Sequence, residues 1–296
     1  MEILPPKEFA VRSVRLCTMV VSFLVATGYA QVIGTVVRAQ GTWCDETHQQ
    51  CHSRDFQGLW RMYPVRRDSR LVRIGSRNGL ESMVIRSRWG VLETFDCSSP
   101  RELGCKDPLD LGRLVPAIQE KNVLTAFFDA VMQLAADHPR MYDSLRQGIL
   151  ITRGWEQPLL DAVAELREGG LNLQSVLDGW KTGEYLLELC PLDDAAQPRC
   201  PEKVMPAKYF WDAKTPAPFL TSNLHPGLYR LYLCEINSGI PLRTSTYAEL
   251  LVAEKPKSEE LANEFRQVLD ATRNWDATDP TSRALRRAYL YMLDRR

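Results

Sequence analysis

The chain has 296 residues, 45% hydrophobic and 25% charged, with 37 basic and 37 acidic side chains and no net formal charge. Its length allows about two domains, and its composition is that of a globular protein rather than a disordered chain. The balanced charge argues against a dedicated nucleic-acid binder, and no nucleic-acid partner is expected.

In chain order, the first feature is an export signature. Arg12 and Arg15 precede a charge-free run from Leu16 to Thr27, and Gly28-Tyr29-Ala30 follows. A basic flank, an apolar run and a small-x-small site make up a secretory signal. Two readings compete: a signal peptide over 1–30 cleaved after Ala30, or an uncleaved membrane anchor over 14–37, long enough for a bilayer at about 20 residues. Either puts the remainder in the periplasm or outside the cell, tethered to the inner membrane if the segment is kept. Cys17 lies at the start of the apolar run, which is the wrong end for a lipoprotein cysteine.

Residues 31–106 read as a small β domain. Val32 to Val37 is β-branched and extended, Asn78-Gly79 signals a hairpin, and Trp89-Gly90 signals a second turn between Ser82–Ser87 and Val91–Phe95. Residues 107–147 read as a helical connector. Leu124, Phe127, Phe128, Val131, Leu134 and Ala135 line one helical face, Asn122 caps it, and Pro139 stops it after His138. A further short helix is expected over Arg140–Gln147.

Residues 148–254 read as β again, with strands expected at Ile149–Thr152, Leu160–Leu166, Val204–Trp211 and Thr244–Ala253. An internal repeat, G-x-Y-x-L-x-L-C, occurs at Gly183–Cys190 and at Gly227–Cys234. It describes a turn glycine feeding a period-2 strand. Residues 255–296 read as two helices. Ser258 is the expected cap of the first, and Asp279-Pro280 opens the second. That second helix carries Leu285, Tyr289, Met292 and Leu293 opposite Arg283, Arg286 and Arg287. The class is α+β, mainly β.

Export makes disulfides the default for the cysteines. Cys44 and Cys51, Cys97 and Cys105, and Cys190 and Cys200 form close pairs, leaving Cys234 free or intermolecular. If the repeat strands are antiparallel neighbours, Cys190 and Cys234 lie at opposite ends and Cys190–Cys200 is the better pairing. Cys44, His48, Cys51 and His52 also have the donor types of a metal site, but structural zinc sites use two separated ligand pairs, so a disulfide is the expectation and no metal or cofactor is assigned.

The candidate binding residues are arginines. Arg66, Arg67, Arg70, Arg73, Arg77, Arg86 and Arg88, with Arg61, fall in one β segment whose acids are Asp68 and Glu81. Guanidinium groups bind phosphate, sulfate and carboxylate bidentately. Trp60, Tyr63 and Trp89 among them are candidate stacking platforms for sugars or guanidinium planes. The expected ligand is an anionic glycan, a lipid headgroup or an acidic protein. The competing reading is a solvated strand face neutralised by acids brought in by folding. Asp193-Asp194, His138 and His225 sit in turn contexts. Neither HExxH nor G-x-S-x-G occurs, so no catalytic residue is assigned.

The run Val32-Ile33-Gly34-Thr35-Val36-Val37-Arg38-Ala39-Gln40-Gly41, with the β pattern to Phe95, resembles the extracytoplasmic FecR-like domain; Gly34 and Gly41 are the matching residues. The resemblance covers about a quarter of the chain. It implies a periplasmic sensing or binding module without catalysis, from which the cysteine pairs depart. Leu224-His225-Pro226-Gly227-Leu228-Tyr229 resembles the tyrosine corner of an Ig-like β-sandwich. The layout as a whole resembles exported proteins of Gram-negative bacteria. The leading expectation is a non-enzymatic binding or scaffold protein of the cell envelope. An adaptor acting through its sandwich and C-terminal helices, and a hydrolase with an unfamiliar site, are the alternatives.

Overall fold

The computed structural model describes residues 32–52, 60–74, 81–97, 108–117, 119–151, 161–167, 170–173, 176, 185–199, 219–220, 224–237, 240–275 and 279–296. The export run, Asn78-Gly79, Cys105, Cys200 and the strand expected at Val204–Trp211 lie outside them. The fold is broadly α+β, and the described residues form four α-helices and three sheets whose pairings are mainly antiparallel.

The N-terminal unit holds β1 (Val32–Gln40), β2 (Trp43–Asp45), β3 (Gln50–His52), β4 (Pro64–Arg66), β5 (Leu71–Arg73), β6 (Ser82–Ser87) and β7 (Leu92–Asp96). One sheet runs β4-β1-β6-β7 and a smaller one β3-β2-β5. Ile33, Val36, Trp43, Trp60, Val65, Leu71, Met83, Ile85 and Phe95 share one core between them. That core also takes in Leu109, Leu111 and Leu114, past the boundary expected at residue 106.

The chain needs glycine at two points of β1 and its exit. A Cβ on Gly34 would sit 2.6 Å from the Arg86 carbonyl oxygen, so β1 and β6 approach closely there. Gly41 turns the chain at φ +96°, where a Cβ would also meet Glu81. Between them the β1–β6 register shifts from Val36 to Arg38, so Val37 lies in the irregularity. Its carbonyl accepts the Thr281 hydroxyl at 2.8 Å, which ties the first strand to the last helix.

Helices α1 (Val123–Asp137) and α2 (Pro139–Ile151) follow, then β8 (Ala162–Arg167), β9 (Gly170–Asn172), β10 (Tyr185–Pro191), β11 (Phe219–Leu220), β12 (Gly227–Asn237) and β13 (Ile240–Glu254). The C-terminal helices are α3 (Lys257–Ala271) and α4 (Pro280–Asp294). Asn122 and Thr125 cap α1 reciprocally, and His138 closes it before Pro139, as the sequence predicts. The strand expected at Ile149–Thr152 is a correction, because Ile149–Ile151 is the last turn of α2. Met141, Tyr142 and Leu145 are buried at helical spacing and carry the helix on past Gly148. Another correction concerns Ser258. The cap position of α3 is Pro256, and Ser258 lies buried in the first turn with its hydroxyl unpaired among the described residues.

Six strands form one sheet in the order β10-β12-β13-β8-β9-β11, antiparallel except for β13 beside β8. The two repeat strands β10 and β12 are antiparallel neighbours, with Cys190 opposite Arg230 and Cys234 opposite Leu186. The tyrosine-corner contact is present, since the Tyr229 hydroxyl donates to the His225 carbonyl at 2.9 Å. Strand alternation sends Leu228, Leu251 and Ala253 to one face, where they join Phe127, Leu134, Phe265, Leu285 and Leu290 of the helices. Tyr229, Leu231, Leu250 and Val252 face a second core. The connector and the C-terminal pair are therefore one helical layer. Val32 and Met62 of the N-terminal unit also pack into it.

Candidate functional site

The predicted arginines do not share one face. Arg66, Arg67 and Arg70 surround the turn from β4 to β5, where the Ser69 hydroxyl accepts from the Arg66 amide at 3.0 Å. Arg70 pairs with Glu46 at 3.0 Å, both exposed, and Arg67 is exposed with no ion pair among the described residues. Arg73 pairs with buried Glu81 at 3.1 Å. Arg77 lies outside the described residues. Arg88 reaches α1 and pairs with Asp129 at 2.6 Å. Of the expected aromatic platforms, Trp60 and Tyr63 are buried edge-to-face on each other, centroids 4.8 Å apart. Trp89 packs against the N-terminal core with the Arg88 guanidinium 5.7 Å from its ring.

Arg86 behaves differently. It lies opposite Thr35 in the β1–β6 pairing, is only 6% exposed, and stacks its guanidinium 4.1 Å from the centre of Trp275. Its Nε has no hydrogen-bond partner, and no ion pair to Arg86 is found among the described residues. A buried, charged donor left unmatched is costly. Three chain segments meet around it. The Thr281–Val37 bond brings the start of α4 against β1 beside Arg38. The Met62 amide donates to the Val36 carbonyl at 2.8 Å, placing Arg61 alongside. Arg286 on α4 donates to the Thr272 hydroxyl at 2.9 Å and the Thr272 carbonyl at 2.6 Å, and that carbonyl also accepts the Trp275 amide.

Burial and neighbouring charges act on three of these arginines. Burial lowers the pKa of Arg61, against the pull of Asp279 and with the repulsion of Arg38. Burial likewise lowers Arg86, with Asp279 opposing and Arg286 adding. For Arg286, burial lowers the pKa while Asp161 and Asp279 oppose. All three stay protonated at neutral pH, so they can bind and orient an anion but do not serve as proton donors. Asp279 is the carboxylate common to the three. Its oxygens accept from the Thr281 amide at 3.3 Å, the Ser282 amide at 2.9 Å and the Ser282 hydroxyl at 2.6 Å, so it is engaged in capping α4.

A second arginine group shows what full satisfaction looks like. Arg283 and Arg287, expected to face away from the apolar stripe of α4, are buried against the six-stranded sheet; this is a correction. Arg287 grips Asp161 through Nε at 2.9 Å and Nη2 at 3.1 Å, and Arg283 Nε lies 3.7 Å from Asp161. Arg230 grips Glu249 through Nη2 at 2.6 Å and Nε at 3.1 Å, while the Tyr291 hydroxyl donates to the other oxygen. The guanidinium carbons of Arg230 and Arg287 each sit 4.4 Å from the centre of the Tyr247 ring. Burial alone would lower the Arg287 pKa, yet Asp161, Tyr247 and Glu249 hold it well above the ordinary value. Both carboxylates have each oxygen engaged, which marks this network as a clasp between α4 and the sheet.

The remaining candidates resolve into structural roles. Cys44 and Cys51 form a disulfide, which consumes both thiols of the Cys–His cluster. Cys97 and Cys190 are also disulfide-bonded, to cysteines outside the described side chains. His48 instead faces buried Asp45 at 2.9 Å. Burial raises the Asp45 pKa, but hydrogen bonds from Ser69, His48 and Arg70 bring it below the ordinary value. Asp193 binds the Ala195 amide at 2.9 Å and Arg199 at 3.0 Å, and Asp194 binds Arg295 at 3.1 Å. A cleft of about 490 Å³ opens where Leu261 of α3 and Leu293 of α4 meet the end of β13. It lies at the opposite end of α4 from Asp279, about 20 Å away.

No family model, curated protein or solved structure matches the chain significantly. The sequence pointed to Arg86 but not to Arg38, Arg286, Trp275 or the second use of Asp279. One signal was there: Arg286 lies seven residues after the cap Asp279, on the same side of a helix.

Proposed function

We propose that this chain is an exported, non-enzymatic binding or scaffold protein of the bacterial envelope that holds an anionic ligand on its arginines. The observation that carries the reading is Arg86, 6% exposed and without a hydrogen-bond acceptor or ion pair among the described residues. Support for export comes from the apolar run at Leu16–Thr27 and from the Cys44–Cys51 disulfide, which suits an oxidising compartment. Among the described residues no helix is long and apolar enough to cross a membrane. Kinship with FecR-like domains rests on Gly34 and Gly41, and both glycines have a backbone reason in β1. Kinship with Ig-like sandwiches rests on the Tyr229 corner, whereas the single six-stranded sheet departs from it.

The test is binding of the full chain to a sulfated polysaccharide and to anionic vesicles at two salt concentrations. Salt-sensitive binding that falls on replacing arginines of the β unit supports the proposal; no binding to any anion sinks it. The adaptor reading draws on a different observation. Leu92 on the edge strand β7 is 50% exposed and Val91 beside it is 39% exposed, whereas the apolar faces of α3 and α4 are used inside the chain. Replacing Leu92 with lysine would abolish capture of a partner if that reading holds.

A further inference from the structure

The cleft at the C-terminal end of α4, about 490 Å³, falls within the roughly 300–1,000 Å³ usual for small-molecule sites. Its walls come from the ends of elements that the fold brings together: Gly227 at the start of β12, Ala253 near the end of β13, Leu261 in α3 and Leu293 in α4. Ala253, Leu261 and Leu293 belong to the large core under the helices, so one wall of the cleft is the margin of that core. No side chain closes it at Gly227, where an added Cβ would have no neighbour within 4 Å.

One carboxylate on this cleft is poorly provided for by the fold. Asp294 is the last residue of α4, the helix end at which aligned peptide dipoles disfavour negative charge, and no basic residue lies in that last turn. Its side chain is only 20% exposed and makes no hydrogen bond among the described residues. Arg295 Nε approaches to 3.8 Å, while Arg295 Nη2 is drawn to Asp194 at 3.1 Å. Burial pushes the Asp294 carboxyl above its ordinary value, with Arg295 and Lys257 opposing. Asp161 and Glu249 show the contrast, since their oxygens are all engaged by guanidinium, amide or hydroxyl donors. A partly buried acceptor left without a donor is costly, which points to a donor from outside the chain.

The rim charges set the sign of that donor. Glu254, Lys255 and Lys257 share the lining with Asp294. Lys255 pairs with Glu259 at 3.1 Å, which leaves Glu254 and Asp294 against Lys257. The mouth is therefore net negative beside an apolar wall.

We propose that this cleft binds an ammonium group carried on an apolar body, with the ammonium on Asp294 and the body against Leu261 and Leu293. An alkylamine, an apolar amino acid and the N-terminus of a peptide share that chemistry. The site stands at the other end of α4 from Asp279 and does not depend on the anion-binding reading.

Isothermal titration of the full chain with isoamylammonium chloride tests this, and one saturable site is expected. Isoamyl alcohol has the body without the charge, and methylammonium has the charge without the body; each is expected to bind at least about tenfold more weakly. Asp294→Asn is expected to weaken isoamylammonium by about tenfold or more. Its Tm is expected to equal or exceed that of the wild type, because the carboxylate has no hydrogen bond in the fold to lose. Leucine and leucinamide separate the sources. Leucine binding more tightly than leucinamide, with that advantage lost in Lys257→Gln, assigns the site to a free amino acid. Leucinamide binding more tightly than both leucine and isoamylammonium assigns it to a peptide N-terminus, and isoamylammonium binding most tightly assigns it to an alkylamine.

Isoamyl alcohol binding as tightly as the amine, or amine binding unchanged in Asp294→Asn, overturns the proposal. A lower Tm in Asp294→Asn overturns it too, since the carboxylate would then support the fold itself. Absence of saturable binding by all the amines also overturns it, and leaves the anion-binding reading untouched.

Discussion

Arg287 reaches from α4 across the helix–sheet boundary and holds both oxygens of Asp161, Nε at 2.9 Å and Nη2 at 3.1 Å. The partners are 126 residues apart, and Asp161 lies just ahead of β8 at the parallel β8–β13 pairing. Asp161 also accepts the Glu249 amide at 2.8 Å, so one carboxylate ties the start of β8 to β13 in the middle of the sheet and seats the helix.

Removing one member of this buried pair should be far costlier than removing both. Asp161→Ala leaves Arg287 and Arg283 in the core without their carboxylate and is expected to cost about 3–5 kcal/mol. A double variant, Asp161→Leu with Arg287→Met, is expected to recover the part of that loss that comes from orphaning Arg287, while Arg283 and the Glu249 amide still lack the carboxylate. Urea unfolding of the single and double variants measures it. Additive losses in the double variant would show that the contact geometry, not the orphaned charge, dominates.

Acid should loosen the same clasp. Burial raises the Asp161 pKa, yet Arg287 and Arg283 bring it below its ordinary 3.8. The folded form therefore ionises Asp161 at lower pH than the unfolded form does. That stabilisation is complete above about pH 4–5 and is lost as pH falls through the depressed folded value. Asp45 has the same sign. Tm measured from pH 7 down to pH 3 should fall at the acid end, and Asp161→Asn should start lower and fall less steeply. A flat wild-type profile would refute the linkage.

Local patterns carried much of the fold into the sequence. Asn122 and Asp279 as caps, Trp89-Gly90 as a turn and the Tyr229 corner are all contacts within a few residues, and the chain states them directly. Long-range electrostatics are another matter. Arg283 and Arg287 look like a polar face on a helical wheel, because only the sheet supplies the Asp161, Glu249 and Tyr247 that let them be buried. The arginine run at 61–88 was legible as chemistry, but its residues part company once β6 packs under the helices. Arg86 then meets Trp275, nearly 200 residues further along the chain.

The Cys44–Cys51 bond should act locally. The two cysteines face each other across the β2–β3 pairing, seven positions apart, and beside them Asp45 also binds His48 and the Tyr63 hydroxyl. A loop this short limits the chain-entropy contribution to about 2.5 kcal/mol. Replacing both cysteines with serine is expected to lower stability by no more than that and to leave the helical layer folded. Amide hydrogen exchange checks this: faster exchange in residues 43–52 with unchanged protection in α1 and α4 is the expected pattern. Loss of protection throughout would mean that the small sheet nucleates the whole N-terminal unit.

Gly34 offers a test that links fold and site. An added Cβ would lie 2.6 Å from the Arg86 carbonyl oxygen and 3.1 Å from the Ser87 Cα. Both obstacles are backbone in a paired strand, so neither can rotate away, and β6 must shift from β1. Gly34→Ala is expected to cost about 1–3 kcal/mol. Gly112→Ala is the control, since its added Cβ would meet only the Asp110 carboxylate at 3.1 Å, a side-chain atom that caps the turn rather than strand backbone. Displacing β6 also displaces Arg86 from Trp275, so the tryptophan emission spectrum should change in Gly34→Ala and stay that of the wild type in Gly112→Ala. Equal unfolding midpoints for the two variants would show that the β1–β6 approach is looser than these distances require.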